Sequence, residues 1–321
     1  MITLGRQSGA GPRFAVIGLR GFTVCCCAWL LLACAVAPPV GDAVVPAPTP
    51  VSAASVQVPP KRPPAIGLAL GGGAARGFAH VGVIQVLEES GIRPTIVAGT
   101  SAGSLVAAIF ASGKTGLQLS ALAESMEEAG IADWTLPFFG RGLLRGEALA
   151  RYVNMQVGGR PMESFPLALG IVATDLHSGQ GVLFRRGDAG VAVRASSAVP
   201  AIFQPVKIAG REYVDGGLVS PVPVRYAREM GAELVIAVDI SSSPEGNRAD
   251  DTVQVVLQTF TIMGKSINAF ELRDADIVVR PALAAVTGAD FGARRLAIEA
   301  GRQAMLRMLP KLQAAIEAKM H

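Results

Sequence analysis

Residues 95–112 read TIVAGTSAGSLVAAIFAS, and the reading of this stretch decides the fold. Thr95 to Gly99 is short, apolar and β-branched, as a strand buried on both faces is. Ala102 to Ser112 is apolar again, with the composition and length of a buried helix. Between them, Gly99-Thr100-Ser101-Ala102-Gly103 satisfies G-x-S-x-G. That pattern is the sharp strand-to-helix turn that lifts a serine hydroxyl above the C-terminal edge of a parallel sheet. Glycine is needed on both sides because a Cβ would clash where strand and helix pack closely. The helix aims its N-terminus at the serine, where free amides and the dipole favour an oxyanion. A Gly-rich βα turn without chemistry is the other reading of these five residues, and on them alone it stays open.

Upstream, Ile66 to Leu70 is a second apolar run and leads into Gly71-Gly72-Gly73-Ala74-Ala75-Arg76-Gly77. From Gly77 to Ser90, Phe78, Val81, Ile84 and Leu87 recur at threefold spacing, which predicts a helix that Gly91 stops. Two uses of this glycine loop compete. A dinucleotide cradle expects an acidic residue about 20 positions on, at the end of the second strand; that strand ends in Gly99-Thr100-Ser101 instead. The better reading is an oxyanion hole, with the backbone amides of Gly72, Gly73 and Ala74 facing an ester carbonyl under attack by Ser101. Arg76 could orient the loop, bind a lipid phosphate or make a structural ion pair. Further buried strands are predicted at 167–174, 234–239 and 277–280, and helices at 222–230, 252–273 and 291–318. Alternation of this kind implies a three-layer α/β/α fold with a mainly parallel central sheet.

Composition narrows the chemistry. The chain has 321 residues, half of them hydrophobic, and 29 basic against 25 acidic side chains. No Lys/Arg cluster is interleaved with aromatics, which argues against a nucleic-acid partner. All four cysteines (Cys25, Cys26, Cys27 and Cys34) fall in the first 34 residues. The remainder therefore has no thiol for a disulfide, a zinc site or catalysis. With only His80, His177 and His321, neither a metal nor a cofactor is expected. The shortage also bears on Ser101, which needs a proton acceptor. His321 ends the chain, His80 falls inside the first predicted helix, and His177 lies just past a strand end. Tyr213-Val214-Asp215-Gly216-Gly217 offers another acceptor, because an aspartate before two glycines can sit in a tight turn with its carboxylate free.

Taken in order, Gly71-Gly72-Gly73-Ala74-Ala75-Arg76-Gly77, Gly99-Thr100-Ser101-Ala102-Gly103 and Asp215-Gly216-Gly217 resemble the three signature blocks of the patatin-like phospholipases. Residues 195–203, Ala173-Thr174-Asp175-Leu176 and Val238-Asp239 are similar to further stretches of that family, and the likeness covers roughly 65–285. It implies a Ser101–Asp215 dyad without histidine or metal, acting on ester-linked acyl chains of phospholipid or another acyl ester. Asp175 and Asp239 are the reserve candidates, read as loop anchors. A catalytically silent lipid-binding lipoprotein and a transacylase are the alternatives.

The N-terminus reads as an address. Arg6, Arg13 and Arg20 precede an uncharged apolar run from Gly21 to Ala33, the pattern of a secretory signal. Leu31-Leu32-Ala33-Cys34 resembles the lipobox of bacterial lipoproteins, which implies cleavage before a lipidated Cys34. An ordinary signal peptide and an uncleaved anchor are the other readings. The expected organisation is a signal at 1–33, a Pro/Ala-rich tether at 34–64 and the patatin-like domain at 65–321. The expected place is the bacterial envelope, as an outer-membrane lipoprotein facing the periplasm. Residues 131–144, IADWTLPFFGRGLL, read as an apolar loop whose Trp134, Phe138 and Phe139 either cap an acyl pocket or fold into the core.

Overall fold

The structure, a computed structural model, describes residues 62–126, 142–245, 249–288 and 290–321. The signal, Cys34, the Pro-rich stretch as far as residue 61 and the aromatics of 131–141 lie outside the described residues.

Three strands are buried at every position: β1 (Ile66–Leu70), β2 (Ile96–Thr100) and β9 (Leu234–Val238). Burial on both faces is why the sequence there is unbroken apolar rather than alternating. With β4 (Ala168–Asp175) and β10 (Ile277–Val279) they form a parallel array in the order β10-β9-β1-β2-β4. One face is covered by α1 (Ala79–Glu89), α2 (Ala102–Ala111), α3 (Gly116–Ser125), α4 (Glu147–Gln156), α5 (Ala189–Ser196) and α8 (Arg294–Ala318), packed on Leu68, Leu70, Ile171 and Ile236. The other face carries the small residues Ala69, Ala98 and Ala237 against α6 (Val224–Glu229) and Leu272. The long helix α7 (Thr252–Glu271) precedes Leu272. The fold is therefore the three-layer α/β/α arrangement that the alternation implied. No helix among the described residues is long and apolar enough to cross a membrane.

Beyond β4 the sheet becomes mixed, which the apolar runs did not foretell. β5 (Gly181–Phe184), β7 (Val206–Ile208) and β8 (Arg211–Asp215) are antiparallel additions. They are short and partly exposed, so they lack the continuous apolar signal of the central strands. Residues 142–144, expected as loop, form β3 (Gly142–Leu144), paired in parallel with β6 (Ala201–Phe203). The folded part also begins ahead of residue 65. Arg62 exchanges backbone bonds with His321 at 2.8 and 3.2 Å, and its guanidinium forks onto Glu233 at 2.7 and 2.8 Å.

The register around β4 positions everything that follows. β2 pairs with Ala168 to Val172 of β4, and β8 pairs with Ala173 to Asp175. Both occupy the same edge, because β5 takes the opposite edge at Ile171 to Thr174. β2 and β8 run toward one another along that edge and end head to head, Thr100 opposite Val172 and Asp215 opposite Ala173. The residues that leave those two ends must meet.

The sheet's larger layer is held in place by backbone contact between α1 and α8. A Cβ on Gly82 would stand 1.9 Å from the Ile298 carbonyl oxygen, and one on Gly301 2.0 Å from that of Ala79. Gly82→Val or Gly301→Val must push the helices apart, at a cost of about 1–3 kcal/mol or more. Urea unfolding should show a lower midpoint with an unchanged slope; an unaltered midpoint would contradict the crossing.

Candidate active site

Ser101 closes β2 and opens α2. Its φ of 52° and ψ of −124° are a left-handed conformation that a non-glycine residue adopts only under constraint. The constraint is visible on both sides. Its carbonyl accepts bonds from the Ser104 amide at 2.8 Å and the Ser104 hydroxyl at 2.6 Å. Its amide donates to Ser196 Oγ at 2.8 Å, and Ser196 Oγ donates in turn to the Val172 carbonyl at 2.6 Å. Side chains at the flanking glycines would break this turn: a Cβ on Gly99 would lie 2.6 Å from the Gly103 oxygen, and one on Gly103 2.1 Å from that of Leu70.

The glycine loop curls over Ser101, and a Cβ on Gly72 would stand 3.1 Å from the serine Cβ. Its amides divide into two groups. Gly71 donates to Val238 at 3.1 Å, Gly72 to Pro221 at 2.9 Å, and Ala75 to Gly288 at 3.0 Å. The Gly72 amide, expected among the oxyanion donors, is thus already committed. Among the described residues no bond engages the amides of Gly73 and Ala74. Ala74 has a φ of 50°, so the chain turns sharply there. Arg76 is half-buried and donates to the Gly73 carbonyl at 3.3 Å, bracing the loop from within.

Asp215 ends β8 and is 6% exposed. Its Oδ1 accepts the Gly217 amide at 2.6 Å, while Oδ2 is buried with no partner in good hydrogen-bond geometry. Burial pushes the carboxyl up from its ordinary 3.8 to about 6, while the Gly217 amide and the neighbouring Ser101 hydroxyl pull it down. A Cβ on Gly216 would stand 2.2 Å from the Val172 oxygen, so glycine lets this turn close against β4.

The other sequence candidates fall elsewhere. His80 is fully buried, and its Nε2–H donates to the Gly71 carbonyl at 2.8 Å. Burial drives its pKa down to about 4, so it stays neutral and serves as a loop tie. His177 is exposed beside Glu212, and His321 pairs with Arg62 and Glu233; neither lines the space around Ser101. Asp175 accepts the amides of His177 and Ser178 and faces Arg211 at 3.1 Å. Asp239 accepts the Ser241 amide and faces Arg280 at 3.2 Å. Both anchor loops. Among the described residues no His, Cys, Asp and Glu cluster has the makings of a metal site.

Sequence reading missed the residues that tie the three glycine-rich blocks together. Ser220 is fully buried. Its carbonyl accepts the Thr100 hydroxyl at 2.9 Å, and its amide donates to Gly216 at 2.9 Å. The next carbonyl, that of Pro221, accepts the Gly72 amide. One dipeptide thus holds the residue before Ser101, the residue after Asp215 and the glycine loop. Ser220 Oγ lies 2.6 and 2.8 Å from the two oxygens of Glu271, which Arg225 approaches to 3.1 Å. Burial raises the Glu271 carboxyl to about 7, opposed by Ser220 and Arg225. An isolated serine and glutamate 51 positions apart leave no pattern in a sequence.

Two cavities meet at Ser101. One, of about 530 Å³, is apolar and lined by Phe78, Leu105, Ile109, Leu119 and Leu149 among others. The second, of about 310 Å³, holds Gly72, Gly73, Arg76, Asp215 and Lys265. Ala74, Ser101, Val199 and Leu257 line both.

A strained serine on a strand-to-helix turn, faced by a buried acid and two free loop amides, is the outline of a nucleophile site on an α/β sheet. Residues 68–228 match the family model described as patatin-like phospholipase. The chain belongs to the patatin-like phospholipase family. It is 35% identical over 217 residues to an uncharacterized NTE family protein of Mycobacterium tuberculosis, covering 67% of this chain and 60% of that one. The match therefore spans about three fifths of the mycobacterial relative's length. Lysophospholipase NTE1 of Pyricularia oryzae is 29% identical over 207 residues, 63% of this chain and 13% of that protein. VipD from Legionella pneumophila shares the fold, with a TM-score of 0.54 and 16% identity over 78% of this chain and 67% of that one.

The Ser220–Glu271 link generates a test of positioning. Glu271→Ala should slow covalent labelling of Ser101 by a fluorophosphonate on the order of 10–100-fold, as small misplacements of reacting groups do. Glu271→Gln keeps an acceptor for Ser220 Oγ and should restore most of the rate; equal rates in all three chains would contradict the link.

Proposed function

We propose that this chain is a serine acyl hydrolase that cleaves ester-linked acyl chains of phospholipids or related lipids, with Ser101 as nucleophile and Asp215 as base. The observation that carries this reading is the position of Ser101 where the two cavities join. An acyl chain fits the apolar one, and the ester's polar remainder and water fit the one that holds Asp215.

The steps follow from the groups present. The Asp215 carboxylate takes the proton from Ser101 Oγ as the oxygen attacks the ester carbonyl. The amides of Gly73 and Ala74 supply the donors for the oxyanion, each such donor contributing about 2.7–4 kcal/mol to the transition state. The protonated Asp215 then gives its proton to the departing alcohol, leaving an acyl-Ser101. Water enters from the polar side, loses a proton to Asp215 and displaces the acyl chain, and that proton returns to Ser101. Burial makes this aspartate a stronger base than an exposed one, which is what a site without a nearby histidine needs. By the same token the family's lysophospholipase relatives support a lipid ester as substrate.

We also infer that the chain is an envelope lipoprotein anchored through Cys34, a reading that rests on Arg6, Arg13, Arg20, the uncharged run and Leu31-Leu32-Ala33-Cys34. Radiolabelled palmitate should enter the parent chain and not Cys34→Ser; equal labelling would exclude that anchor.

Ser101→Ala should abolish release of fatty acid while leaving the circular dichroism spectrum unchanged; retained release would exclude Ser101 as nucleophile. The pH dependence has a definite sign. Only the ionised carboxyl can accept a proton, so hydrolysis should fall as pH drops through about 6. The same raised pKa favours the protonated folded state, a stabilisation present below the ordinary carboxyl range and lost as pH rises through about 6. Asp215→Asn should therefore be inactive yet more heat-stable than the parent at pH 8, with the advantage gone near pH 4. An acidic limb at a pH near 4, or no gain in Tm, would contradict the burial argument.

A further inference from the structure

The apolar cavity beside Ser101 has a depth that the helices around it define. Ala102, Leu105, Val106 and Ile109 of α2 all line it, so it follows one face of that helix away from Ser101 for about two turns. At ~1.5 Å per residue, eight positions set Ile109 ~12 Å from Ser101 along the axis. Leu119, Leu122 and Met126 of α3 line the same cavity, and α3 runs back toward Ser101. Its first residue, Gly116, gives its amide to Glu88 at the far end of α1, at 2.8 Å. Its last turn is held by Arg294, which donates to the Ala123 carbonyl at 2.8 Å and lies 5.9 Å over the Phe78 ring, just past the glycine loop. Leu119 therefore stands at the deep end with Ile109, and Met126 at the end near Ser101.

The deep end is closed. Ile109 and Leu119 are 3 and 4% exposed and belong to the packed core that also holds Val81 and Leu149. At the level of Ser101 the cavity spreads sideways instead, from Gly288, whose carbonyl holds the Ala75 amide, to Phe203, whose amide bonds Val199. Its 530 Å³ is therefore not all depth. An extended alkyl chain advances about 1.25 Å per carbon, because its zigzag bonds are close to the ~1.5 Å of Cα–C. A chain whose carbonyl sits at Ser101 thus runs for roughly ten carbons before its end meets Ile109 and Leu119. Further methylenes must fold back or displace close-packed side chains, and overpacking a core is unfavourable.

We propose that Ile109 and Leu119 form the floor of an acyl pocket that measures chain length, and that the ester best cut carries a saturated chain of about ten carbons. This proposal rests on the acyl hydrolase reading for its purpose, and its test is separable from that reading. The full chain is assayed on a graded series of p-nitrophenyl esters from hexanoate to myristate. In the parent, kcat/KM should rise about fourfold with each added carbon, the worth of one buried methylene, and stop rising near decanoate. Leu119→Ala removes three carbons from the floor and should carry the rise about three carbons further. Leu119→Phe fills the floor and should stop the rise near octanoate. The measure is the laurate-to-hexanoate ratio within each preparation, from which the fraction of folded protein cancels. Relative to the parent it should rise on the order of tenfold in Leu119→Ala and fall in Leu119→Phe.

Damage to packing alone would not move the two variants in opposite directions. A parent whose kcat/KM keeps rising through myristate, or one ratio shared by all three chains, would overturn the floor. A parent that cuts none of the esters would count against the hydrolase reading, and calorimetric binding of the free fatty acids would then decide the floor. Affinity that stops rising near decanoate in the parent and later in Leu119→Ala supports it. Affinity that rises without a break, or no binding at any length, overturns it.

Discussion

One edge of β4 organises this molecule. β2 and β8 share it, arriving from opposite directions and ending between Val172 and Ala173. Because backbone pairing fixes both ends, Ser101 and Asp215 are brought together by the sheet's register and not by flexible loops. Ser196 reinforces the junction by bridging the Val172 carbonyl and the Ser101 amide. Ser220 and Pro221 extend the same logic, tying the glycine loop and both strand ends to one buried dipeptide. A serine held at a φ of 52° needs such a frame, since the conformation is unfavourable without it.

That frame also sets the electrostatics. Closing the Asp215 turn against Val172 buries the carboxyl, and burial is the larger influence on its pKa. The stability given up by an ionised buried acid is the counterpart of its basicity, a trade common at functional sites. Glu271 and His80 show the same medium acting on groups of opposite sign. The carboxyl is pushed up to about 7 and the imidazole down to about 4. Both serve as hydrogen-bond partners that hold loops.

Much of this was legible in the sequence, for a physical reason. Strands such as 66–70, 96–100 and 234–238 are buried on both faces and therefore read as unbroken apolar runs. Glycines at 99, 103 and 216 stand where a Cβ would strike backbone, so the close approaches leave a mark in composition. The antiparallel margin was not legible. β8 reads Arg-Glu-Tyr-Val-Asp, and nothing in that string announces a strand whose last residue lands beside β2. Nor could the sequence tell which loop amides stay free. Gly72, Gly73 and Ala74 look equivalent in a glycine run, and only the Pro221 carbonyl singles out Gly72. Arg62 fell within a segment read as tether because its partners, Glu233 and His321, are far along the chain.

The proposed mechanism requires that Ser101 carry the acyl group between ester and water. Its most direct test is mass spectrometry of the chain quenched in acid during turnover of a defined lysophospholipid or phospholipid. An acyl adduct is expected on the peptide that contains Ser101, present during turnover and gone once substrate is exhausted. Fatty acid released with the adduct on another residue, or with no adduct under conditions that trap acyl-serines, would contradict it.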